Sequence, residues 1–80
     1  MNNITYAIEE INKLNPVFKG LMALNQSQTA AILGVSDSTM EGWRKKAIGP
    51  EYIKTGPGKG RILYPKQKIA EYLDNTIKTM

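Results

Sequence analysis

Apolar side chains recur at helical spacing near each end of the 80-residue chain, where they predict amphipathic helices. The N-terminal stripe consists of Ile4, Ile8, Ile11 and Leu14. It predicts a helix over 3–14 that ends at Asn15, because a residue that precedes proline is pushed out of the α region. The C-terminal stripe consists of Ile69, Ala70, Tyr72, Leu73 and Ile77 and predicts a helix from about Lys66 to Ile77. Residues 17–23 form an apolar connector that we expect to pack the first helix onto the rest.

A third helix is predicted to begin near Asn25 and to end before Gly34. Asn25 and Gln28 have the spacing of a capping box, in which the two residues satisfy each other's backbone N–H groups. Ala30 and Leu33 supply an apolar face three residues apart. Gly34 stands at the position where a residue in the left-handed conformation commonly ends a helix.

The next helix is predicted to follow at once, over 37–46, with Ser36 as its capping residue. Met40, Trp43 and Ala47 lie along one stripe, which predicts a buried face, and Trp43 is interpreted as a structural residue. Two short helices joined by a glycine turn are typical of a helix-turn-helix, although helical bundles use similar turns. In a helix-turn-helix, the outer face of the second helix enters the major groove of DNA.

A β-hairpin is predicted directly after this pair of helices. Its strands are 52–55 and 61–64, with Tyr52 and Tyr64 facing the core, and they flank the turn-forming segment 56–60. Gly58-Lys59 within this segment superficially suggests a phosphate-binding loop. Such a loop requires Ser or Thr after the lysine and then a helix, so nucleotide hydrolysis is rejected.

The charges are distributed unevenly along the chain, whose net charge is +4. Residues 1–43 carry two basic and four acidic side chains, a net −2, and residues 69–80 carry one basic and two acidic side chains, a net −1. Residues 44–68 carry eight basic side chains and one acidic side chain, a net +7. A basic block between acidic flanks is the expected footprint for a polyanion, and a solvated surface is the alternative. Lys66 and Lys68 are interpreted as residues that only neutralise the local field.

The composition removes several classes of chemistry. Cysteine and histidine are both absent, which excludes disulfides and thiolate metal sites and removes the commonest general base. Glu9 and Glu10 are adjacent on a helix and therefore point in different directions. We predict no enzyme, no cofactor and no metal. The sequence shows no signal peptide and no apolar run of about 18 residues, so we expect a soluble cytoplasmic protein without a membrane partner.

Four ordered segments resemble the helix-turn-helix of excisionase and AlpA-like proteins, which are related to the DNA-binding heads of MerR regulators. The segments are Leu24-Asn25-x-x-Gln28-x-Ala30-x-x-Leu33-Gly34-Val35-Ser36-x-x-Thr39-x-x-x-Trp43-Arg44, Gly49-Pro50-x-Tyr52-Ile53-Lys54, Arg61-x-x-Tyr64 and Ile69-x-x-Tyr72-Leu73. The resemblance covers residues 24–73 and implies a winged helix, with helix 37–46 in the major groove and the hairpin as the wing. The fold class expected is therefore mainly α with a small β-hairpin, a winged helix-turn-helix with an extra N-terminal helix.

The whole chain is expected to form one domain over 1–80. It comprises the N-terminal helix and connector (1–23), the helix-turn-helix (24–47), the wing hairpin (51–65) and the C-terminal helix (66–80). The predicted DNA-binding residues are Ser36, Asp37, Ser38, Thr39, Glu41, Gly42, Arg44, Lys45, Lys46, Lys54, Lys59 and Arg61. Thr39 has a second interpretation, as part of the helix cap. Glu41 and Gly42 depart from the family pattern, in which basic or polar readers are common.

The resemblance implies sequence-specific binding of double-stranded DNA by a small transcription regulator or recombination accessory of a mobile element. It leaves open a recombinase or RNA polymerase as a protein partner and a homo-oligomer on DNA. The alternative hypothesis is a protein-interaction module, such as an antitoxin or an assembly adaptor. In that case, the stripe formed by Ile4, Ile8, Ile11 and Leu14 would bind the partner instead of packing within the domain.

Overall fold

The computed structural model describes residues 3–56 and 60–78, and it describes only the backbone of residues 75–78. The described chain is mainly helical, with one small antiparallel sheet. Its elements are α1 (Asn3–Leu14), α2 (Pro16–Lys19), β1 (Ala23–Asn25), α3 (Gln26–Leu33), α4 (Asp37–Lys45), β2 (Ile53–Lys54), β3 (Ile62–Pro65) and α5 (Lys66–Lys78). None of these helices has the length and apolar character that are required to span a bilayer.

The sheet has three strands in the order β1-β3-β2, so β3 is the central strand. The predicted hairpin is confirmed in β2 and β3, where Ile53 pairs with Leu63; β2 is shorter than expected, and β3 begins and ends one residue later. Strand β1 is the third member, and its Leu24 pairs with Tyr64. The connector expected over 17–23, for which a helical turn was the alternative, includes most of the short helix α2; strand β1 at its end was missed, because its pairing partner lies about 40 residues later in the chain.

One compact core joins all the helices to the sheet. Its buried apolar residues are Ile11, Phe18, Leu24, Ala30, Met40, Tyr64, Ile69 and Ala70. Half-buried apolar side chains pack around this cluster, including Trp43, Leu73 and Ile32. Since each helix and two of the three strands supply only one or two of these residues, the core depends on nearly all the elements being in place, as expected for so small a domain.

Three residues that were predicted to be buried are exposed. Leu14, in the last turn of α1, is 64% exposed, whereas Ile11 of the same stripe is buried. Ala47 lies beyond the end of α4 with a φ of 57°, which takes it off the helical stripe and into solvent. Tyr52 is 42% exposed and only its ring contacts the core residue Tyr64. The side chain of Ile77 lies outside the described residues.

Lys66 corrects another sequence interpretation, since it does more than neutralise a local field. Its side chain is buried, and Nζ donates a hydrogen bond of 2.6 Å to the carbonyl oxygen of Phe18 in α2. Its backbone N–H donates to the carbonyl oxygen of Met22, at 3.0 Å. The start of α5 is therefore tied at two points to the segment that connects α1 to β1. Burial lowers the pKa of Lys66 from the ordinary lysine value.

Candidate nucleic-acid interface

The turn between α3 and α4 has the geometry that the sequence pattern predicts. The Asn25 side chain accepts from the backbone N–H of Gln28 at 2.7 Å, and the Gln28 side chain accepts from the backbone N–H of Asn25 at 2.9 Å. Gly34 ends α3 with a φ of 73°, a conformation that costs about 1–2 kcal/mol in residues with a Cβ. Val35 N–H then donates to Ala30 at 3.0 Å, which closes the turn.

Ser36 and Thr39 together form the start of α4. The Ser36 hydroxyl accepts from the backbone N–H of Thr39 at 3.1 Å and donates to the Thr39 hydroxyl at 3.0 Å. Thr39 therefore does take part in the helix cap, which was one of its two interpretations. A cap of this kind stabilises a helix by about 1 kcal/mol and fixes where the helix starts.

The solvent face of α4 carries polar and charged side chains. Asp37, Ser38, Glu41 and Lys45 are exposed, and Lys46 is exposed at the helix end. Gly42 leaves open space on this face, since a Cβ built on it would have no neighbour within 4 Å. Asp37 is held from the side of α3, because the Ser27 hydroxyl lies 3.2 Å from both carboxylate oxygens. The buried side of the same helix is anchored by Met40.

Trp43 packs against the core from the C-terminal half of α4, as predicted. Its ring centroid lies 6.0 Å from that of Tyr72 in α5, with the planes inclined at 45°. The segment after α4 also passes close to the indole at Gly49, whose φ is 85°. Trp43 therefore fixes α4 against α5 and sets the path of the chain into the hairpin.

Arg44 connects α4 to α3 and to the hairpin. Its Nε and Nη2 atoms both donate to Oε1 of Gln26, at 3.2 and 2.8 Å. The guanidinium carbon lies 6.0 Å from the centroid of the Tyr52 ring, which is within the range of a cation–π interaction. Arg44, one of the predicted DNA-binding residues, is thus also a structural link among three elements, and Gln26 is a residue of this link that the sequence did not predict.

The hairpin carries two of the three predicted wing cations within the described residues. Lys54 and Arg61 are both exposed. They lie at the same end of the hairpin, because Lys54 pairs with Ile62 and the neighbouring Thr55 N–H donates to the Arg61 carbonyl at 2.9 Å. Lys59 lies outside the described residues.

Lys68 is removed from the candidate surface by ion pairs. Its Nζ lies 3.1 Å from a carboxylate oxygen of Glu51 and 3.3 Å from one of Glu71. Hydrogen bonds to Glu51 and Glu71 raise the pKa of Lys68. Lys66 is buried and Lys68 is ion-paired. The cations of the basic block that remain available to a ligand are therefore those of α4, its C-terminal end and the hairpin.

Among the described residues, no three or more acidic side chains lie close enough together to hold a metal ion. No protein-family model, no curated protein and no solved structure matches the chain.

Proposed function

We propose that the protein binds double-stranded DNA as a winged helix-turn-helix, with α4 in the major groove and the β2–β3 hairpin as the wing. The observation that carries this proposal is the arrangement of Arg44. This residue joins the exposed polar helix α4 to the basic hairpin, so that both present their charges as one unit. Phosphate contacts from such cations supply most of the affinity for DNA, and side chains in the groove supply the sequence preference.

The proposed roles of the residues divide into phosphate contacts and base contacts. Lys54, Lys59 and Arg61 contact phosphates from the wing. Ser38 and Lys45, on the exposed face of α4, read base edges, and Glu41 prefers the amino group of a cytosine to a phosphate. The resemblance of residues 24–73 to excisionase and AlpA-like proteins supports a small cytoplasmic regulator or recombination accessory, acting on a defined site with a recombinase or RNA polymerase.

The test is a titration of a fluorescently labelled 20-base-pair duplex of random sequence at low salt. We expect the protein to bind with a dissociation constant on the order of micromolar, as is typical of nonspecific DNA binding. The double variant Lys54→Ala/Arg61→Ala should bind about tenfold more weakly, because two phosphate contacts are lost.

The matched control removes the same number of positive charges elsewhere. Lys13 and Lys19 are exposed on α1 and α2, and Lys13→Ala/Lys19→Ala should bind within about twofold of the wild-type protein. Absence of binding at micromolar protein concentration would contradict the proposal. Equal losses in the two double variants would instead indicate attraction by net charge without a defined surface.

A groove that is lined by no residue of α4 or the hairpin favours a second candidate function, the binding of a protein. It has a volume of about 460 Å³ and runs between α1, α3 and α5. Its lining residues are Asn3, Tyr6, Ala7, Glu10, Ile11, Leu14, Ile32, Leu73 and Asp74. Tyr6 and Leu14 are 58% and 64% exposed, and these apolar side chains favour a partner helix with an apolar face. The variant Leu14→Ser should leave DNA binding unchanged if the first proposal is correct.

A further inference from the structure

The side chain of Gln26 is held at both ends of its amide group. Its Oε1 accepts two hydrogen bonds from Arg44, at 3.2 and 2.8 Å. Its Nε2 donates to the carbonyl oxygen of Asp37 in the first turn of α4, at 3.4 Å. A glutamine amide has one accepting end and one donating end, and here each end meets a group of the opposite kind. Gln26 therefore bridges the first and last turns of α4.

The two bonds from Arg44 use one edge of its guanidinium group. Nε and Nη2 form the side-on edge, and both point at the same oxygen of Gln26. An arginine carries five N–H groups, so three are not used by Gln26, and these include the end-on pair of Nη1 and Nη2. That pair has the planar fork geometry that matches two oxygens of a phosphate.

Two tyrosine side chains also lie next to the guanidinium group of Arg44 and restrict its movement. The Tyr52 ring lies against it, at 6.0 Å from ring centroid to guanidinium carbon. The second tyrosine, Tyr64, is buried, and its burial raises the pKa of its hydroxyl group. The charge of Arg44 and its hydrogen bonding to Tyr64 lower this pKa and so oppose the effect of burial. Arg44 is itself only half-buried, so part of the residue is accessible to solvent. An ordinary surface arginine would lose rotamer entropy on binding a phosphate, whereas this one is already ordered.

We propose that Arg44 is a preorganised ligand for one phosphate of the DNA backbone, and that Gln26 is the positioning residue that holds its guanidinium in the binding orientation. This inference depends on the proposed DNA-binding function. It adds a phosphate contact at the junction of α4 and the hairpin, and it assigns a role to a residue of α3 that does not itself contact DNA.

The experiment is a double-mutant cycle in duplex binding. Gln26→Met keeps the length of the side chain and removes its amide, and Arg44→Lys keeps the charge and removes the fork. Each single variant should weaken binding to all duplexes by about threefold to tenfold, as expected for the loss of a charge-assisted hydrogen-bonding arrangement. The double variant should be no weaker than Arg44→Lys alone, because Gln26 acts only through Arg44.

The salt dependence separates positioning from general loss of structure. For Arg44→Lys and Gln26→Met, the slope of log affinity against log salt should be shallower by up to about 0.9, the value of one phosphate contact. All variants are measured well below their unfolding temperatures. The matched control is Gln67→Met, which removes an exposed glutamine amide that bonds only to Glu71 on its own helix, and it should change neither quantity.

The outcomes are distinguishable from failure of the main proposal. If the wild-type protein binds duplex DNA and Gln26→Met binds with the same affinity and salt slope, the positioning role is wrong. Additive losses in the double variant would also overturn it, because the two residues would then act independently. If the wild-type protein does not bind duplex DNA at all, the proposed function fails and this inference fails with it.

Discussion

Trp43 and Gly49 lie so close together that only a glycine fits opposite the indole. A Cβ built on Gly49 would lie 2.7 Å from Cε3 of Trp43 and 3.3 Å from its Cβ. The same glycine has a φ of 85°, in the region that residues with a Cβ rarely adopt. The contact sets the direction in which the chain leaves α4 and enters the hairpin.

Gly49→Ala should therefore lower the free energy of unfolding by about 2 kcal/mol or more, from the steric overlap and the backbone strain together. Gly42→Ala is the matched control, because it makes the same change within α4, where the added Cβ would meet nothing within 4 Å. It should raise the stability by about 0.5–1 kcal/mol, since alanine is the better helix former. Urea unfolding measures both. A similar effect of the two substitutions would contradict the close packing at Gly49.

Trp43→Ala tests whether this side chain is structural. The indole packs against the core and against Tyr72, but it is half-buried, so we expect a loss of about 3 kcal/mol, the lower end of the range for such truncations. In so small a domain this is a large share of the total stability. A variant that keeps its unfolding free energy and loses only DNA binding would show that Trp43 contacts the nucleic acid instead.

Lys66→Met should cost about 1–3 kcal/mol, because it removes a buried hydrogen bond from a charged donor to the Phe18 carbonyl. Burial lowers the pKa of Lys66 in the folded protein below the value of 10.5 expected for the unfolded chain. Between these two values the unfolded chain binds more protons, so the contribution of Lys66 to stability rises with pH. The stability difference between wild type and variant should be larger at about pH 10 than at neutral pH.

Urea unfolding at the two pH values measures this difference directly, since other titrating groups are common to both proteins. Lys19→Met makes the same substitution at an exposed position and serves as the control. A difference between wild type and Lys66→Met that is constant with pH would contradict the assigned effect of burial.

Variants of the helix and of the wing should affect DNA binding in different ways. Arg61→Ala removes a proposed phosphate contact and should weaken all sequences about equally. Ser38→Ala and Lys45→Ala remove proposed contacts to base edges, each worth about 1–3 kcal/mol of discrimination, and should change the ranking among sequences. Binding to one selected site and to its single-base changes measures both effects. The roles are reversed if the wing variant alters base preference and the helix variants alter only overall affinity.

The features that the sequence predicts correctly are local ones. The caps at Asn25 and Ser36 and the turn at Gly34 depend on residues three or four positions apart, which a pattern along the chain shows directly. The helical segments follow from the same kind of short-range periodicity.

The features that it misses depend on distant pairs. The hydrogen bond from Lys66 to Phe18 spans 48 residues, and that from Arg44 to Gln26 spans 18. In the sequence, Lys66 and Gln26 look like ordinary surface residues. Only the tertiary fold, which brings the start of α5 to α2 and packs α3 against α4, decides which polar side chains become internal links and which remain free to meet a ligand.

The salt dependence of DNA binding tests the central claim most directly. The proposed phosphate ligands are Arg44, Lys54, Lys59 and Arg61. Four contacts predict a slope of log affinity against log salt of about −3.6, measured by titrating a labelled duplex between about 50 and 200 mM salt. A slope near this value, and a shallower one in Lys54→Ala/Arg61→Ala by about 1.8, is the expected result. An affinity that stays constant as salt rises, or no binding at the lowest salt, would contradict a phosphate-binding surface on α4 and the hairpin.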